Sequence, residues 1–263
     1  MRLLVSFKIC PNLELLREED IAVTEEMGID THFLPNIINC YDEGALELAL
    51  RLRDKTEGDL VELSAFTAGN EQAELTLKGL RALGFAHTVR AEDERNVTGF
   101  SPEAVAETMA AYMRENPQDC ILLGREAPVG NHGIMAWLVA EKMKYPAIGP
   151  VIDIESTDQK SITVLVSNEG RIQKQTVKLP CVLCVGNAVI SKLRVPTLRE
   201  RLKVSKTQSS CISLVHPDYT YISKPEKIHS AASKRVCYQS KKSHKEAIYD
   251  VARNGMQKAL EQI

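Results

Sequence analysis

No apolar run in this chain approaches the roughly 18–20 residues that a membrane span needs. The opening stretch, MRLLVSFKICPN, has too short an apolar run for a signal-peptide core, and no small-residue cleavage site follows it. The seven cysteines are odd in number and scattered, so the expectation is a reduced, cytoplasmic protein without membrane insertion. Motifs that carry chemistry are also missing. No G-x-G-x-x-G follows the first apolar run, which excludes the standard dinucleotide fingerprint, and no G-x-x-x-x-G-K-[ST] marks a P-loop. The absence of a Ser-Gly-Gly phosphate loop counts against an ATP-pyrophosphatase of similar topology. There is no H-E-x-x-H and no paired C-x-x-C, so no metal site is expected. The single C-x-x-C, Cys181 and Cys184, falls in a strand pattern, where an odd spacing sends the two thiols to opposite faces as small buried residues. The six histidines are isolated, and no triad or acid–base pair assembles, so no catalytic residue is expected.

What is present is ordinary in bulk and uneven in distribution. Hydrophobic residues make up 44% and charged residues 26% of 263, the composition of a globular chain rather than a disordered or collagen-like one. The net charge is −2, but residues 206–245 hold eight basic residues against two acids, a net of +6, which leaves −8 on the rest. The stretch lacks aromatic interleaving, so nucleic acid is not the expected partner. It suits an arm that packs along a subunit with a complementary acidic surface.

Short apolar runs alternate with helical patterns through the first three-quarters. Strands are expected at Leu3 to Phe7, Leu60 to Phe66, His87 to Arg90, Cys120 to Leu123, Val151 to Ile154 and Val182 to Val185. Between them, helices are expected from Asp42 as a cap to about Lys55, from Glu71 to Leu83 closed by Gly84, from Ser101-Pro102 to before Pro117, and from about His132 to Lys144. A hairpin reads Ser161 to Ser167, a turn Asn168-Glu169-Gly170, and Arg171 to Leu179, and a second is expected near Met27-Gly28. The rhythm predicts an α/β fold. It would be a Rossmann-like, mostly parallel sheet with helices on both faces, an antiparallel hairpin extension and a C-terminal arm. Two regions follow: an adenine-nucleotide-binding α/β domain over 1–204 and an extended basic arm over 205–263 that ends in a helix. Ligands on such sheets sit at the carboxyl ends of the strands, here the loops that begin at Lys8, Thr67 and Gly124. These loops are rich in Gly, Ala and Asn, which suits a nucleotide held by backbone amides.

Four stretches, in order and in register over about residues 1–206, resemble the beta subunit of electron-transfer flavoproteins. FKICPN is similar to the family's V-K-x-V-P-D opening. Asn39-Cys40-Tyr41-Asp42 with EGALELALRLRDK is similar to N-P-F-D and its helix. LLGREAPVGNHG, running to Tyr145-Pro146, is similar to the L-x-G-[RK]-Q-A-I-D-x-D loop, and VKLPCVLCV with RVPTLRERLKVSK to the L-P-A-[VL] strand and R-Y-[PA]-[ST]-L segment. Carboxylates and a Gln of the third stretch are replaced here by Pro128 to Ile134, and NCYD lacks the family's Pro, as in a divergent, FixA-like branch of the anaerobic or carnitine-linked type.

The resemblance implies a beta-type subunit paired with an alpha-type subunit, passing electrons from a dehydrogenase to an acceptor oxidoreductase. It would be an electron carrier rather than a stand-alone catalyst, with FAD held mainly by the alpha subunit and AMP or a second FAD in the beta subunit. It places the nucleotide at Ser6, Lys8, Asn39, Cys40, Tyr41, Asp42, Ala68, Gly69 and the stretch Gly124 to Ile134, above all Gly124, Arg125, Ala127, Gly130, Asn131, His132, Gly133 and Ile134, and a partner-docking anchor at Leu198. Each has an ordinary reading beside it: Asp42 as a helix cap, Lys8 as a solvated cation, the 124–133 loop as a flexible connection and Leu198 as cover for its own core. Trp137 reads as core. The reading from another class is an AMP- or ATP-binding regulatory module with no redox role.

Overall fold

The computed structural model describes residues 1–22, 29–56, 60–92, 101–130, 133–158, 160–204 and 206–215, all within one compact unit, Met1–Lys224. The hairpin expected near Met27-Gly28 and most of the basic arm lie outside the described residues.

The strand β1 (Arg2–Ser6) is apolar on both faces and lies inside a sheet that has nine strands among the described residues. Its neighbours are β4 (Glu62–Gly69) on one side and β6 (Cys120–Gly124) on the other, both parallel to it. Outward from β4 come β5 (His87–Glu92) and β11 (Ser210–Ser213). Outward from β6 come β10 (Cys181–Val185) and β7 (Ala147–Thr157), also parallel. The antiparallel strands β8 (Ser161–Asn168) and β9 (Arg171–Lys178) extend that edge. Their turn places Glu169 and Gly170 at φ of 48° and 76°, the left-handed pair a two-residue hairpin requires. A separate two-stranded ribbon joins β2 (Ile9–Pro11) to β3 (Asn36–Ile38).

Helices cover both faces, as the alternation predicts. Side chains of successive strand residues point to opposite sides, so Leu3 and Val5 enter one core and Leu4 the other. Helices α1 (Cys40–Lys55) and α2 (Ala73–Ala82) seal the first core, whereas α3 (Pro102–Glu115) and α4 (Met135–Met143) seal the second. Cys181 and Cys184 are divided in the same way. Ser101 caps α3 by accepting from the Ala104 N–H, and Gly84 (φ 101°) follows the end of α2.

Three local readings are corrected. Asp42 does not cap its own helix; α1 starts at Cys40, with Asn39 in the cap position. Trp137 is 47% exposed rather than core, because the buried stripe of α4 is Ala136, Val139 and Ala140 and the indole lies off that stripe. α4 begins at Met135, three residues later than the pattern from His132. The sheet also continues past residue 205. β11 pairs parallel with β5, and Leu214 behind it is buried, a placement that one short apolar alternation in a polar stretch does not announce.

Candidate functional site

The chain runs from β1 outward to β4 and β5, then returns to β6 on the other side of β1. The carboxyl ends of β1 and β6 therefore diverge into loops on opposite sides of a crevice, the position where such sheets hold ligands. A cleft of about 110 Å³ opens there.

Asp42 ties the crevice together. Its Oδ2 accepts from the Lys8 N–H at 2.8 Å and its Oδ1 from the Gly124 N–H at 2.9 Å. One buried carboxylate at the start of α1 thus joins the loop after β1 to the loop after β6. Burial pushes its pKa from the ordinary 3.8 up to about 6, against the hydrogen bonds that favour the charged form. Gly124 has to be glycine: a Cβ there would lie 2.2 Å from Asp42 Oδ1 and 2.9 Å from the Tyr41 Cβ.

The loop after Gly124 is fastened at two further points. Asn39 Nδ2 donates to the Glu126 carbonyl at 2.8 Å, and Lys8 Nζ donates to the Val129 carbonyl at 2.9 Å. Burial lowers the Lys8 pKa, while Cys10 and Asp42 act in the opposite sense. Among the described residues Lys8 forms no ion pair within contact distance; its ammonium lines the cleft, hydrogen-bonded to a neutral carbonyl, with the Asp42 carboxylate acting on it from further off.

Nine of the expected residues line the cleft: Ser6, Lys8, Asn39, Asp42, Ala68, Gly124, Arg125, Ala127 and Gly133. Cys40, Tyr41, Gly69, Gly130 and Ile134 do not line it, although the Tyr41 hydroxyl reaches Glu126 Oε1 at 3.3 Å and so supports the loop. Asn131 and His132 lie outside the described residues. Glu126 and Val129, inside the expected stretch Gly124 to Ile134, line it too, and Phe7, Pro102, Val105, Leu123 and Met135 also line it and were not anticipated. A signal for Pro102 and Val105 existed: α3 follows a parallel strand and starts at the same sheet edge.

The lining divides by chemistry. Pro102, Val105, Leu123, Val129 and Met135 form an apolar wall, and Lys8, Arg125 and the loop backbone supply cations and amides. The N-cap residue of α4, Ile134, has no side-chain capping group. An apolar wall for a base and a cationic edge for phosphate fit a nucleotide. Among the described residues no group of three or more His, Cys, Asp or Glu could hold a metal, and no helix is long and apolar enough to cross a membrane.

The segment after β10 holds Leu198. Thr197 and Glu200 close a reciprocal capping box at the start of α5 (Leu198–Lys203), which leaves Leu198 74% exposed instead of covering its own core.

The family model for the electron transfer flavoprotein domain matches residues 26–210. The chain belongs to the electron transfer flavoprotein family, on its beta-subunit side. This flavoprotein-family chain is 30% identical over 210 residues to YgcR of Escherichia coli K12, named for an electron transfer flavoprotein subunit; the alignment covers 79% of this chain and 80% of that one. It is 28% identical to the electron transfer flavoprotein subunit beta of Bacillus subtilis, over 74% of this chain and 76% of the relative. Protein FixA of Azotobacter vinelandii is likewise 28% identical, over 70% and 64%.

Proposed function

We propose that the chain is the beta-type subunit of a heterodimeric electron-transfer flavoprotein, carrying electrons from a dehydrogenase to a second redox protein. Family membership over most of the chain carries this reading. The redox flavin is FAD, held mainly by the alpha-type subunit; flavin supplies the electron chemistry, so the scarcity of acid–base residues here is expected. The crevice between β1 and β6 binds an adenine nucleotide, AMP or a second FAD. Lys8 and Arg125 meet its phosphates, the 124–133 loop and the α4 N-terminus approach it through backbone, and Val105, Val129 and Met135 cover the base. Asp42 and Asn39 hold the loops rather than the ligand. Leu198 docks the dehydrogenase, and the basic segment that follows β11 and Leu214, up to residue 245, packs along an acidic face of the alpha-type subunit.

Co-expression with an alpha-type subunit from the same organism tests this. A yellow heterodimer that releases adenine nucleotide on denaturation and is reduced by a purified acyl-CoA dehydrogenase supports the reading. A colourless monomer that releases AMP or ATP would replace it with the regulatory module. Recovery of neither flavin nor nucleotide removes both.

A further inference from the structure

Leu75, Val195, Leu198 and Leu202 are four of the five most exposed large apolar side chains among the described residues, each about two-thirds exposed or more. They are not scattered. Leu75 lies on α2, the other three on the segment around α5, and α2 packs against α5. A groove of about 490 Å³ runs between the two elements, with Leu75, Leu80, Leu83, Val195, Pro196 and Val204 in its walls. Exposed apolar area gathered around a groove marks an interaction surface.

The rim chemistry narrows the occupant. Lys78 and Arg201 line the groove, with Arg194 already paired to Glu47 and Asp54 and one acid, Glu43, engaged by Lys192 and the Leu193 N–H; Arg199 and Lys203 flank it on α5, so its uncommitted charges are basic on a body whose overall charge is negative. Glu200 is committed to its capping box. Residues 206–245 are themselves basic, so this chain's own tail is repelled. A second copy meeting this patch through a two-fold axis would set like charges against each other. An acidic, apolar-anchored helix satisfies both walls and rim.

We infer that the α2 face around Leu75 is the second half of the dehydrogenase-docking surface, and that it takes an acidic amphipathic helix of the redox partner. The inference rests on the reading of Leu198 as a docking residue. In it, the partner is gripped between two elements, and Leu75 is a specificity-determining contact 123 positions away in sequence from the docking segment.

The test uses the purified heterodimer and the acyl-CoA dehydrogenase of the source organism that reduces it fastest. Leu75→Ser, Leu198→Ser and the double charge reversal Lys78→Glu/Arg201→Glu are compared for kcat/KM at low and high salt. Leu75 is exposed, so its variant should keep wild-type flavin content and heterodimer yield. The expected result is a fall of about tenfold in kcat/KM for Leu75→Ser, carried by KM. The charge reversal should fall further and lose its salt dependence. An effect at Leu198 with none at Leu75 overturns the inference and leaves the docking reading standing. No effect at either removes both. Loss of heterodimer or flavin in Leu75→Ser means that the alpha-type subunit covers the groove, and the inference falls. If no acyl-CoA dehydrogenase reduces the wild-type heterodimer, the proposed function fails with it.

Discussion

Arg194 closes on Glu47 with three donors: Nε lies 3.0 Å from one carboxylate oxygen and 3.1 Å from the other, Nη2 lies 2.7 Å away, and the backbone N–H of the same residue donates at 3.1 Å. Asp54, on the same helix, takes the remaining Nη1. Glu47 is buried, so the segment that presents Leu198 is bolted to α1, the helix whose first turn ties the Lys8 and Gly124 loops. Hydrogen bonds to Glu47 come first among the causes that raise the Arg194 pKa, so the clamp stays charged at any working pH.

Breaking this clamp has a direction and a size. Arg194→Met strands a buried carboxylate and should destabilise by about 2–4 kcal/mol, whereas Glu47→Gln keeps neutral acceptors and should cost about 1–2 kcal/mol, since the guanidinium is partly solvated. Urea midpoints at constant m-value measure both. Equal losses in the two variants would mean that the stranded carboxylate is not the source.

Asp42 makes the crevice sensitive to pH. Its folded pKa of about 6 lies above the ordinary 3.8, so the folded state binds this proton more tightly than the unfolded chain does. The group therefore favours folding progressively as pH falls from 6 towards 4, and above 6 its ionised form carries a constant cost on the order of 3 kcal/mol. Protonation also turns an O–H toward one of two N–H donors, which weakens a loop tether. A carboxyl carbon-13 titration should show a midpoint near 6, and Asp42→Asn should flatten the stability profile between pH 4 and 6. A midpoint near 4 would refute the assignment.

Gly124→Ala tests the close approach of two loops. The added Cβ meets both the Asp42 carboxylate and the Tyr41 Cβ, and the strand end, paired with Val185 and tied to Asp42 through its N–H, cannot easily withdraw. A loss of about 1–3 kcal/mol is expected from overpacking, together with loss of bound nucleotide. Thermal unfolding and nucleotide release after denaturation report the two effects separately.

Lys8→Met separates binding from folding. The variant keeps the aliphatic stem and removes one hydrogen bond to a neutral carbonyl, so stability should change by about 1 kcal/mol or less. Nucleotide affinity should fall tenfold or more through loss of a charge-assisted contact. Titration calorimetry with AMP, on protein stripped of nucleotide, would expose an indifferent Lys8 by an unchanged Kd.

Local patterns made most of the framework legible. The apolar run of β1 announces a strand buried on both faces, and Ser101-Pro102 starts α3 because hydroxyl capping and a fixed proline φ act within one turn. The odd spacing of Cys181 and Cys184 places them on opposite faces for the same local reason. Trp137 misled because an apolar residue beside a buried stripe looks like part of it until the neighbouring α3 defines which stripe is covered. The cleft was legible at Lys8 and Gly124, which follow or end strands, whereas Pro102 and Val105 reach it from another βα unit, where the only signal was the sheet edge at which α3 starts.

Period and capping act over a few residues, so the sequence by itself determined the alternation of the main strands and helices, the two faces of the sheet and the edge where a ligand would sit, but not the β2–β3 ribbon or β11. Pairing across the sheet brings together residues that share no local signal. The tertiary structure alone decided that Asp42 reaches Lys8 and Gly124, 34 and 82 positions away, that Glu47 seats Arg194 across 147, and that Leu75 stands beside the α5 segment. These contacts depend on which strands become neighbours, and that is set by packing the whole chain around two cores.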